Sequence, residues 1–151
     1  MRSNMNLSHQ RGFGRPGVGV FTLLLLLACS AGAQDTRPIV FPPNVTALEG
    51  LPTLRVETTP EATTRRQLDS EEAAASRLRI QIKDGSFYWS SRDDRRLTLT
   101  AAGEFTYLSS TEPGRYVRIR RLNDRLTYVE HLDTTLGTVT YWGELRVVVG
   151  Q

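Results

Sequence analysis

The sequence predicts an all-β fold: a small antiparallel meander of six or seven strands forming a curved sheet, a β-roll or a small barrel. Three observations carry that expectation. From Leu78 onward, β-branched and aromatic residues alternate with polar ones at period two. Turn residues break the alternation at short intervals, as Asp84-Gly85, Gly103, Pro113-Gly114 and Asn123-Asp124. Cys29 is the one cysteine, so no intramolecular disulfide forms and stability must come from a packed core.

Two segments of different texture precede the meander. Arg2, Arg11 and Arg15 stand ahead of an apolar stretch from Val18 to Ala28, the order of a charged n-region and an h-region in a cleavable export signal over residues 1–33. That stretch falls short of the roughly 20 residues a bilayer-spanning helix needs, so no transmembrane span is expected in the mature chain. Ala31-Gly32-Ala33 offers signal peptidase its small residues and frees Gln34. A competing reading takes Leu26-Leu27-Ala28-Cys29 as a lipobox, with the processed protein tethered to the envelope through acylated Cys29. Either route makes the protein periplasmic or extracellular. Eighteen arginines against one lysine, together with the lipobox-like signal, point to a bacterial envelope.

The formal charge of +3 equals the three arginines of the signal. Without them, sixteen basic residues face sixteen acidic ones. A neutral processed chain lacks the basic field that nucleic-acid binding requires, so nucleic acid is excluded as a partner.

Residues 34–77 read as an extended, largely flexible segment rich in Pro, Thr, Glu and Ala. Its prolines argue against long regular elements. The apolar clusters Ile39-Val40-Phe41 and Leu51, Leu54 and Val56 can add an edge strand or tuck against the domain. A short helix is expected over 70–77, with Asp69 or Ser70 as N-cap and Glu71 and Glu72 in its first turn.

Residues 78–151 form the β domain. Leu78, Ile80 and Ile82 alternate with Arg79, Gln81 and Lys83, and Asp84-Gly85 turns the chain into Phe87-Tyr88-Trp89. Leu97 to Ala102 turns at Gly103 into residues 104–108, and Pro113-Gly114 leads to Tyr116–Leu122. Asn123-Asp124 then joins Leu126–Leu132, and a turn at 134–137 joins Val139–Val149. Within that last strand, Gly143 marks a bulge or bend.

Arginines are the most suggestive candidates for binding. Arg115, Arg118 and Arg120 crowd one hairpin, with Arg118 and Arg120 on the face opposite Val117 and Ile119. In Tyr141-Trp142 the rings point to opposite faces, so one of them leaves the core unless the N-terminal segment covers it. These five residues form the expected binding face, suited to an envelope protein, an anionic glycan or a lipid headgroup. His131 is the one histidine after the signal and shares a strand face with Asp133, while Glu130 points away. That pair is the weak acid/base candidate, and no Gly-x-Ser-x-Gly elbow accompanies it. Too few imidazoles and thiolates remain for a metal cage, and no cofactor is expected.

The favoured expectation is an exported, non-enzymatic binding or structural module. The alternatives are a small ligand-carrying barrel and a small hydrolase using His131 with a carboxylate.

Overall fold

The computed structural model describes residues 39–150. The expected signal over 1–33, its Ala31-Gly32-Ala33 site and Cys29 lie outside the described residues. Nine strands and one short helix follow in order: β1 (Val45–Thr58), β2 (Thr63–Gln67), α1 (Ser70–Ala75), β3 (Leu78–Lys83), β4 (Ser86–Trp89), β5 (Arg95–Ala102), β6 (Phe105–Ser109), β7 (Arg115–Leu122), β8 (Arg125–Thr134) and β9 (Gly137–Val149). No helix among the described residues is long and apolar enough to cross a membrane.

From β3 to β9 each strand pairs antiparallel with the next, so the meander after residue 77 has seven strands. The turns are those the sequence marks. Asp84 and Gly85 both hold positive φ (50° and 71°), the left-handed pair that matches strand twist in a two-residue hairpin. Asn123 does the same between β7 and β8, at φ 55°.

The difference lies in residues 34–77, which supply two further strands. β1 pairs with β3 through Ala47–Gly50 and with β9 along almost its whole length. It thereby joins the two ends of the meander, and eight strands close into a barrel with β2 left outside on the C-terminal half of β1. Pro52 does not break β1, because the register against β9 shifts between Pro52 and Leu54, a bulge at which no ladder N–H is required. Opposite the bulge stands Gly143, where an added Cβ would lie 2.3 Å from the Leu51 carbonyl oxygen. The two backbones approach there because residue 143 has no side chain.

The bulge also reverses which residues face inward. Before it Leu48, Gly50 and Pro52 are buried; after it Leu54 and Val56 lie opposite Trp142 and Thr140 on the outer face, while Arg55 and Glu57 turn in. The expected helix is present over Ser70–Ala75, capped by Asp69, whose carboxylate accepts from the Glu71 and Glu72 N–H groups at 2.9 Å.

The barrel interior is a side-chain core of Leu48, Ile80, Leu108, Val117, Ile119 and Tyr128 with their neighbours. Tyr128 fills the middle against Gly50, where a Cβ would meet the ring at 2.4 Å. At one mouth Ile39 donates its N–H to the buried Thr106 Oγ1 (3.2 Å) and Phe41 packs on Phe87 (6.1 Å). The Ile39-Phe41 cluster thus tucks into the barrel.

Candidate functional site

Strand alternation sorts the chemistry into an inner and an outer set. Inside, β8 places Glu130 on the same face as Tyr128, and folding buries its carboxylate completely. One oxygen accepts from Trp89 Nε1 (3.1 Å) and the other from Arg92 Nη2 (3.0 Å), which reaches in from the β4–β5 turn. Burial pushes the carboxyl up to about 7, and the opposing pull of Arg92 and Trp89 only partly offsets it. Beside this pair lies Tyr141, with the Arg55 and Arg92 guanidinium carbons each 6.0 Å from its ring centre. Arg55 bonds in turn to Glu57 at 2.8 Å. Each Glu130 oxygen is already engaged by a protein donor, so the cluster fastens Arg92 and Trp89 into the barrel.

Outside, the registers of β6 to β9 and β1 align two rows. One runs Tyr107, Arg118, Val129, Trp142, Leu54; the next runs Phe105, Arg120, Thr127, Glu144, Leu51. Parts of both rows line a cleft of about 480 Å³, with Arg118, Arg120, Phe105, Trp142, Thr127 and Glu144 among its walls. The Arg118 guanidinium lies 4.8 Å from the Phe105 ring centre, a cation-π contact that aligns it. Neither Arg118 nor Arg120 has an acidic partner among the described residues. Glu144 is held by Arg125 at 2.7 Å instead.

Of the five residues expected to form the binding face, the fold brings together Arg118, Arg120 and Trp142. Arg115 and Tyr141 do not join them. Arg115 has the inward parity of Val117 and meets Glu112 at 3.4 Å, and Tyr141 points into the barrel because its neighbour Trp142 points out. Among the described residues β1 meets β9 edge to edge through backbone hydrogen bonds, so this strand does not lie over Trp142.

His131 and Asp133 do share the outer face. Nε2 lies 3.2 Å from the Asp133 carboxylate, Nδ1 lies 3.1 Å from Thr140 Oγ1, and the Tyr116 ring stacks on the imidazole at 5.0 Å. Hydroxyl, imidazole and carboxylate stand in the order of an acyl-transfer relay. Yet β8 is paired on both sides here, so its backbone N–H groups go to the ladder and leave no cradle for an oxyanion. None of the three residues lines the cleft.

Sequence reasoning missed Phe105 in the cleft and the partner of the buried Glu130. Phe105 enters the cleft only through its register opposite Arg120, across a hairpin. Glu130 was legible as inward from its alternation with Tyr128 and Leu132, but its partner Arg92 comes from a turn 38 residues away. No family model, curated protein or solved structure matches the chain.

Proposed function

We propose that this chain is an exported, non-enzymatic binding module of a bacterial envelope that recognises an anionic partner with the outer face of β7 to β9. One observation carries the reading: two arginines with no acidic partner among the described residues share a single cleft with Trp142 and Phe105. Two guanidiniums that share one cleft with two aromatic rings, with no acidic partner among the described residues, favour a ligand that supplies negative charge. The charged, apolar order of residues 1–28 supports export.

The filled interior weighs against a ligand carrier, which needs an empty cup. The paired backbone around His131 weighs against a hydrolase. Retention of the purified protein on isolated bacterial envelopes tests the proposal. The double variant Arg118→Gln, Arg120→Gln is expected to lose that retention; if it is held as tightly as the parent, the assigned face is wrong.

A further inference from the structure

We infer that the ligand of this cleft is an acidic polysaccharide whose uronate carboxylates are gripped by Arg118 and Arg120 while a sugar ring lies on Trp142. The inference rests on the proposed function and names its substrate class. Arg118 and Arg120 are two residues apart on one strand face, about 7 Å, so their forks present two separate anion sites in a row. Phosphate recognition at a single point favours converging donors and free backbone N–H groups, and here the ladder takes those N–H groups.

Trp142 stands two strands from Arg118, roughly 10 Å across the sheet. A pyranose laid on the indole at that distance puts its carboxylate within reach of a guanidinium on a flexible stem. The hydroxyls of Thr53 and Thr127, both in the lining, donate to the Trp142 and Arg120 carbonyls and keep lone pairs that accept from sugar hydroxyls.

Charge separates this ligand from the other anions of an envelope. The chain after residue 33 is formally neutral, so it lacks the polybasic field that draws a protein onto an anionic bilayer. Recognition must then come from short-range forks and stacking, which select a carboxylate fixed beside a ring. Phe105, under Arg118 at 4.8 Å, holds that fork in place before the ligand arrives.

Tryptophan fluorescence reads the site directly. Of the two tryptophans, Trp89 is buried in the core and Trp142 is in the cleft. Purified protein is titrated with oligogalacturonate, with neutral dextran, with inorganic phosphate and with phosphatidylglycerol vesicles. The expected result is a saturable emission change with oligogalacturonate alone. Binding should weaken roughly tenfold in Trp142→Ala and by about a hundredfold in Arg118→Gln, Arg120→Gln, both followed by isothermal titration calorimetry because the first lacks the reporter. Arg118→Lys, which keeps charge but loses the fork, should weaken binding by several-fold and guards against misfolding of the other variants.

Oligogalacturonate binding that is indifferent to all three variants overturns the inference. Phosphate or vesicle binding that requires Arg118 and Arg120, with no response to oligogalacturonate, overturns the inference but leaves the proposed function standing. Silence toward every probe, together with unchanged envelope retention of the double variant, overturns both.

Discussion

Glu130 enters folding as a solvated carboxylate and ends wholly enclosed, so its protonation links stability to pH. Burial raises its folded pKa from 4.5 to about 7, and between those values the folded protein binds the extra proton. Stability therefore falls as pH rises across that window, by about 3 kcal/mol. Urea unfolding at pH 5 and pH 7.5 measures the difference, and Glu130→Gln is expected to abolish it. A full slope surviving in that variant would assign it to another group. Arg92→Ala removes the strongest pull that lowers the Glu130 carboxyl, so the loss of stability with rising pH should extend to higher pH than in the parent, read from the same urea unfolding series. Glu49 acts in the opposite sense: the Arg146 hydrogen bond holds it below the usual carboxylate range, so its contribution is lost in acid. Tyr128 carries a buried hydroxyl with no hydrogen-bond partner among the described residues. Tyr128→Phe is thus expected to raise stability by about 1 kcal/mol, read as an increase in the urea midpoint; a decrease would mean the hydroxyl has a partner.

Elements differ in how plainly their residues announce them. β3 to β9 were legible because each carries inward apolar residues at period two and ends in residues suited to left-handed turns, such as Asp84-Gly85 and Asn123. β1 was not, because Pro52 interrupts it and the bulge reverses its alternation, so Leu48 and Leu54 serve opposite faces. β2 has no apolar residue at all, and its existence depends on the edge that β1 presents. In the cleft, Arg118 and Trp142 could be assigned to their faces by alternation alone. Their proximity could not, since it depends on register across three strands. The bulge makes a direct prediction. Gly143→Ala forces a methyl group against the Leu51 carbonyl and should destabilise the protein by about 1–3 kcal/mol, measured by thermal or urea unfolding; a neutral result would mean that β1 and β9 do not approach so closely.

At the scale of the whole molecule, closure places any ligand site on the outer surface. A meander of seven strands has two open edges, and the segment before it hides both by pairing with β3 and β9 at once. Once closed, the barrel is narrow enough for Tyr128, Trp89 and the aliphatic side chains to fill it, and binding chemistry is left to the faces pointing out. The most direct measurement is native-state hydrogen exchange at Ala47–Gly50 of β1, the stretch paired on both sides. The closed barrel predicts that these amides exchange as slowly as those of Val117 and Ile119, opening only with global unfolding. Exchange at the rate of free chain there would mean that residues 34–77 are a tether and that the barrel is open.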